Sequence, residues 1–140
     1  MKSLAILAIS FLFNSHSFSQ SLAGEWKGAF TDATIAELKT PFALHFTLKK
    51  DSTYKVYTYT RYREFDGAYL TAVCEAACRV SADSIFIEEL KQVKPKSNKT
   101  DHLQKMQLST RTKDGKRIME GWWEGVNGIF GGTVLLTRKE

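Results

Sequence analysis

The sequence contains little that would cross-link or stiffen a chain, with two cysteines, two prolines and nine glycines among its 140 residues. Two cysteines are too few for a disulfide-stapled miniprotein, and nine glycines exclude a collagen-like fibre. No apolar run reaches the length of about 20 residues that a membrane-spanning helix needs. The remaining composition, 43% hydrophobic and 25% charged, is typical of one globular domain.

Residues 1–19 have the order of a secretory signal peptide. A lysine near the start is followed by an apolar run over residues 4–13, and residues 17–19 place small side chains at the cleavage positions. We therefore expect export to the periplasm or the extracellular space, with Gln20 as the mature N-terminus and a single domain over residues 20–140. A retained membrane anchor or a buried strand is the alternative interpretation of this segment.

The dominant hydrophobic period after the signal segment is two, which is typical of half-buried β-strands. Turn pairs such as Asp66-Gly67 and Asn127-Gly128 separate the alternating runs. The pattern predicts eight strands, over residues 22–31, 42–49, 53–62, 68–80, 84–90, 102–112, 117–124 and 129–138.

Eight strands joined in sequence order predict an all-β fold, an antiparallel up-and-down barrel whose last strand pairs with its first. Closure is favoured because it removes the exposed edges of the sheet. A two-sheet sandwich is the alternative fold. Residues 32–41 form the longest connection next to the first strand, and Asp32, Ile35 and Leu38 have the spacing of a short capped turn of helix. We expect this segment to form a lid loop over the mouth of the barrel.

The first predicted strand contains Gly24-Glu25-Trp26, and Arg138 lies near the end of the last strand. The first motif resembles the G-x-W signature of the calycin superfamily, which includes lipocalins, fatty-acid-binding proteins and avidins. Arg138 is similar to the basic residue that packs over that tryptophan in the superfamily. The chain thus resembles a short lipocalin-like barrel of the kind found among secreted bacterial proteins. This resemblance implies that Trp26 and Arg138 close one end of the barrel.

An eight-stranded barrel has an interior just large enough for side chains or for one small ligand. Together with the resemblance, this leads to the hypothesis that the interior binds a small apolar or aromatic ligand. The candidate ligand-binding residues are Trp26, Phe30, Phe42, Phe46, Tyr57, Tyr59 and Trp123. The alternative is an extracellular interaction or structural module, whose interior is filled by such side chains and holds no ligand.

Residues that would carry catalysis or bind a metal are scarce. The mature chain has two histidines, His45 and His102, and no recognisable nucleophile motif accompanies either of them. Glu88 and Glu89 are adjacent, so on a strand they point to opposite faces and cannot share a proton. The sequence also lacks H-x-H and C-x-x-C metal motifs. We therefore expect no catalytic residue, no metal and no cofactor, and the sequence favours a function other than catalysis.

The two cysteines, Cys74 and Cys78, are separated by three residues. In an extended strand their α-carbons would be about 13 Å apart, beyond the limit of about 7 Å for a disulfide. An oxidising compartment nevertheless favours a bond between them. We expect a disulfide across an interrupted strand, and two buried free thiols are the alternative.

Basic residues are concentrated in one part of the chain, because residues 91–117 hold nine basic and two acidic side chains. We expect a solvated hydrophilic loop over residues 91–101, and attraction to an anionic surface is the alternative role for this charge. The sequence contains no nucleic-acid-recognition motif. We expect no nucleic-acid partner and no stable membrane insertion after signal cleavage.

Overall fold

The computed structural model describes residues 21–128 and 130–140, apart from the side chains of Ala36 and Glu37. The expected signal segment, residues 1–19, and the expected mature N-terminus at Gln20 lie outside the described residues. The strands are β1 (Gly24–Asp32), β2 (Ile35–Leu48), β3 (Tyr54–Arg63), β4 (Tyr69–Ser81), β5 (Ser84–Lys94), β6 (Lys96–Ser97), β7 (Gln104–Lys113), β8 (Lys116–Gly125) and β9 (Gly131–Arg138). Nowhere in the described part of the chain is there a helix long and apolar enough to cross a membrane.

Eight of these strands form a closed antiparallel ring. The order around the ring is β1, β2, β3, β4, β5, β7, β8 and β9, and β9 pairs with β1 to close it. The two-residue strand β6 lies outside the ring and pairs with the end of β5. The predicted all-β barrel is confirmed, and the sandwich alternative is wrong because each strand of the ring has a partner on both sides.

Alternating side chains from all strands of the ring fill one half of the interior. These side chains are fully or almost fully buried, because they lie on the row of each strand that faces the interior. The largest fully buried side chains are Trp26, Phe46, Leu44, Ile87, Leu108, Met119, Leu136, Val56, Val134 and Thr58. Since Trp26 lies near the start of β1 and Leu136 near the end of β9, most of this core gathers at one end of the barrel.

The segment before β1 closes that end. Leu22 is buried, and its carbonyl oxygen accepts a hydrogen bond from Nε1 of Trp26 at 3.0 Å. Nη2 of Arg138 donates to the carbonyl oxygen of Ala23 at 2.8 Å. Two guanidinium groups flank the indole ring, with Cζ of Arg117 at 5.3 Å and Cζ of Arg138 at 5.9 Å from its centre. The structure thus places Trp26 and Arg138 side by side, on paired positions of β1 and β9.

The expected lid loop over residues 32–41 is wrong. A turn of two residues, 33–34, joins β1 directly to the long strand β2. Oδ1 of Asp32 accepts hydrogen bonds from the backbone nitrogen of Thr34 at 2.8 Å and from its hydroxyl at 2.6 Å. Such an Asx-type turn reverses the chain without a helix. Ile35 and Leu38 are more than half exposed, so they cover no opening.

The expected hydrophilic loop over residues 91–101 is only partly a loop. β5 continues to Lys94, and after Pro95 the chain turns back so that β6 pairs with the last residues of β5. Sequence alternation is weak here because the strand is irregular. On β4, Ala76 pairs with Glu89 and its neighbour Glu75 pairs with Lys91, so Leu90 of β5 is skipped. This β-bulge leaves Leu90 exposed and without a pairing partner on β4. A bulge changes the direction in which the side chains on either side of it point.

Both cysteines are free thiols, so the expected disulfide is wrong. β4 is continuous from Tyr69 to Ser81, and Cys74 pairs with Gln92 while Cys78 pairs with Ile87. An extended strand keeps thiols four residues apart too distant to bond. Burial raises the pKa of the Cys74 thiol to about 12 and that of the Cys78 thiol to about 11.

Candidate ligand site at the barrel mouth

The end of the barrel opposite Trp26 contains a cavity of about 610 Å³. Pockets for small molecules have volumes of about 300–1,000 Å³. The cavity is lined by residues of β1, β2, β3, β4, β5 and β7 and by β6 with the connection that follows it. Its buried and half-buried lining includes Phe30, Ala72, Cys74, Glu89, Gln92 and Gln104. At its outer edge the cavity is lined by Tyr62, Lys99, Asp101 and His102, all of them exposed.

Three aromatic rings form a cluster at the base of this cavity. The Phe30 ring lines the cavity, and it packs against Trp123 with ring centres 4.8 Å apart and against Phe42 at 5.6 Å. Nε1 of Trp123 donates a hydrogen bond to the carbonyl oxygen of Thr31 at 2.7 Å, which holds the indole against β1. Of the predicted ligand residues, Phe30 therefore lines the cavity, and Phe42 and Trp123 support it.

The other predicted ligand residues lie elsewhere. Trp26 and Phe46 belong to the filled half of the barrel and have almost no exposed surface. Tyr57 and Tyr59 lie on the row of β3 opposite the buried residues Val56 and Thr58, so they lie on the outer face of the barrel. The structure thus brings Phe30, Phe42 and Trp123 together at the mouth and leaves the other four away from it.

The most unusual group of the cavity is the carboxyl of Glu89, whose residue is only 5% exposed. Oε1 accepts a hydrogen bond from the backbone nitrogen of Gln104 at 2.9 Å, and Oε2 accepts one from the Thr58 hydroxyl. Burial raises the pKa of Glu89 above its usual range, although these hydrogen bonds act in the opposite direction.

No cation neutralises this carboxyl. Among the described residues, no lysine, arginine or histidine lies within ion-pair distance of Glu89. At the rim, Nδ1 of His102 lies 3.6 Å from Oδ1 of Asp101. Buried carboxylates are ordinarily paired or coordinated to a metal. In the described part of the chain, no group of three or more His, Cys, Asp and Glu side chains is placed to hold a metal ion.

The position of Glu89 follows from the way β5 separates from β7. These strands pair only from Ile85 to Glu88, opposite Leu108 to Lys105. Beyond that point the Glu89 carboxyl replaces the missing backbone acceptor for the nitrogen of Gln104. The side-chain oxygen Oε1 of Gln104 is buried and has no hydrogen-bond partner among the described residues. The residues that line the cavity thus include a buried carboxyl, on Glu89, and a buried amide oxygen without a partner among the described residues, on Gln104.

Sequence reasoning missed Glu89, Gln92 and Gln104. The signal for Glu89 was present, because Ile85 and Ile87 on the same row predict that the next odd-numbered residue faces inward. Gln92 was not predictable from alternation, since the bulge at Leu90 changes the parity of the strand.

The molecule is an eight-stranded antiparallel β-barrel, filled at one end and hollow at the other, which is consistent with a calycin-like fold. No protein-family profile, no curated protein and no solved structure matches this chain.

Proposed function

We propose that this protein is an exported, lipocalin-like barrel that binds a small apolar or aromatic ligand in its mouth cavity. The observation that carries the proposal is the cavity of about 610 Å³ at the end of an otherwise filled barrel. A barrel that served only as a rigid module would fill its mouth as it fills its closed end. The aromatic base formed by Phe30, Phe42 and Trp123 supplies an apolar contact surface for such a ligand.

The polar groups of the cavity also favour a binding function. A buried carboxyl without a counter-ion destabilises the folded state, and binding sites commonly retain such groups. Glu89 is held by hydrogen bonds from Thr58 on β3 and Gln104 on β7, so its position is fixed before any ligand arrives. Fixed polar groups in an apolar pocket are the usual means of orienting a small molecule.

The test of ligand binding uses Nile red, an uncharged apolar dye whose fluorescence rises in apolar surroundings. Wild-type protein is expected to bind it saturably. Ala72→Trp places a large ring in the cavity and is expected to reduce the fluorescence gain at least tenfold. Ala77→Trp is the matched control, because Ala77 lies on the exposed outer face of the same strand. Circular dichroism and thermal melting establish that both variants are folded.

Two results contradict the proposal. One is the absence of saturable binding of Nile red to the wild-type protein. The other is equal loss of binding in Ala72→Trp and Ala77→Trp, which would place the dye on the outer surface. Either result favours the interaction module with no ligand.

Export is tested independently by the intact mass of the protein secreted from its native host. The expected mass begins at Gln20. A mass that includes residues 1–19 in the secreted protein contradicts cleavage at this position, and retention of all the protein inside the cell contradicts export.

A further inference from the structure

We propose that the ligand of the mouth cavity carries a cationic nitrogen, as in a small aromatic or aliphatic amine, and that Glu89 binds this group. The inference rests on the proposed ligand-binding function and specifies the chemical class of the ligand. It follows from the capacity of the Glu89 carboxyl and of Oε1 of Gln104 to accept further hydrogen bonds, and from the negative charge of the Glu89 carboxylate.

Three donors around Glu89 and Gln92 already have an acceptor within the protein. The Thr58 hydroxyl and the backbone nitrogen of Gln104 both donate to Glu89. Nε2 of Gln92 donates to the carbonyl oxygen of Pro95 at 2.7 Å. The Thr58 hydroxyl and the Gln104 backbone nitrogen are therefore not free to bind a ligand that brings acceptor atoms, such as a carboxylate or a phosphate.

The acceptors, by contrast, have spare capacity. A carboxylate has about four lone-pair positions, and Thr58 and Gln104 occupy two of those of Glu89. Oε1 of Gln104 is buried and has no partner among the described residues. An ammonium group offers three donors and no acceptor, which matches acceptor groups with spare capacity, and its charge is opposite to that of a carboxylate.

The surrounding surface suits the rest of such a molecule. The Phe30 ring and the small side chain of Ala72 line the cavity, and Phe30 is itself backed by Trp123. Aromatic faces attract cations as well as apolar groups. Lys99 and His102 lie at the exposed rim, where water screens their charge far better than it screens that of Glu89. The base of the cavity therefore favours a positively charged group. A fatty acid bound there would place its own carboxylate beside that of Glu89.

The experiment compares three molecules that share an indole ring, the cation tryptamine, the neutral tryptophol and the anion indoleacetate. Binding is measured by calorimetry at mildly alkaline pH, where the tryptamine amine is still protonated. Wild-type protein is expected to bind tryptamine at least tenfold more tightly than tryptophol and to bind indoleacetate most weakly. In Glu89→Gln, tryptamine is expected to lose at least tenfold in affinity, while tryptophol changes less than twofold.

Glu88→Gln is the matched control. Glu88 is the neighbouring residue on the same strand and is exposed on the outer face, so its loss removes the same charge without touching the cavity. We expect its binding of all three molecules to equal that of the wild-type protein. Gln104→Met removes the unpaired acceptor and is expected to weaken tryptamine binding severalfold, which provides a second variant if Glu89→Gln does not fold.

The outcomes separate this inference from the proposed function. If wild-type protein binds tryptophol and indoleacetate as tightly as tryptamine, the cavity is a ligand site but the amine assignment is wrong. The same conclusion follows if Glu89→Gln retains the preference for tryptamine. If none of the three molecules binds but Nile red does, the amine assignment is wrong and the ligand site stands. If Nile red also fails, the proposed function is wrong and the amine assignment is overturned with it.

Discussion

The backbone nitrogen of Gln104 donates its hydrogen bond to the carboxyl of Glu89, at 2.9 Å, and not to a carbonyl of the neighbouring strand. β5 and β7 separate at this point, and one side chain satisfies the backbone group that the separation would leave unpaired. The same carboxyl lines the cavity. The separation of β5 from β7 therefore both opens the barrel and accounts for the buried carboxyl in the cavity.

The pH dependence of stability is expected to report on Glu89. Because burial raises its pKa, the folded state binds a proton more readily than the unfolded state, whose glutamate pKa is about 4.3. Stability therefore falls as pH rises from that value through the higher folded pKa, by at most about 1.4 kcal/mol per pH unit. Denaturant unfolding of wild-type protein and Glu89→Gln over this range measures the difference.

The free energy of unfolding of wild-type protein relative to Glu89→Gln is expected to decrease with rising pH. Glu88→Gln corrects for the loss of one negative charge on the outer face. A relative stability that is constant or rises with pH would mean that Glu89 is not a buried carboxyl with a raised pKa.

Removal of the Trp26 ring is expected to destabilise the closed end severely. The ring is fully buried between β1 and β9 and contacts two guanidinium groups, so Trp26→Ala should cost about 3–5 kcal/mol. Trp122→Ala serves as the control, since Trp122 is 44% exposed on the outer face and should cost about 1 kcal/mol or less. Equal melting temperatures for wild-type protein and Trp26→Ala would show that this end is not closed as described.

A methyl group at Gly28 is expected to disrupt the β1–β9 junction. A Cβ atom built there would overlap the carbonyl oxygen of Leu135 on the adjacent strand. Gly28→Ala should therefore destabilise the protein by about 2 kcal/mol or more, because backbone has to move. Ala29→Ser, one residue further along β1, is expected to have a much smaller effect on the unfolding midpoint. If Gly28→Ala is neutral, the two backbones do not approach this closely.

Neither thiol is expected to react readily in the folded protein. Burial keeps Cys74 and Cys78 protonated at neutral pH, and the thiolate is the reactive form. Alkylation with iodoacetamide, followed by mass spectrometry, should label both thiols far more slowly in the folded than in the unfolded protein, with Cys78 the faster of the two in the folded state because it is the less buried. An intact mass lower by two hydrogen atoms, with no alkylation after unfolding, would show that Cys74 and Cys78 form a disulfide.

The sequence was sufficient to predict the eight strands of the ring, their order and closure of the barrel, because period-two alternation and Asx-Gly turns act locally. It did not predict the two-residue strand β6 or the start of β2 at Ile35. It was misleading at residues 32–38, where the spacing of Ile35 and Leu38 also fits a strand that is exposed on both faces. The site depended on two non-local features, the bulge at Leu90 and the separation of β5 from β7. Neither leaves a signal in residue type alone, so Gln92 could not be assigned to the cavity. Met106 and Leu108 on the same row predict that Gln104 faces inward, but not that its backbone nitrogen bonds to Glu89.

The central claim, that the mouth of the barrel is a ligand site, is tested most directly by an NMR titration of the labelled protein with Nile red. The account predicts saturable shifts in the backbone amides of Phe30, Ala72 and Gln104, and no shift at Trp26 in the filled end. Saturable shifts confined to the outer face around Trp122, or none at the mouth up to the solubility limit of the probe, would contradict it.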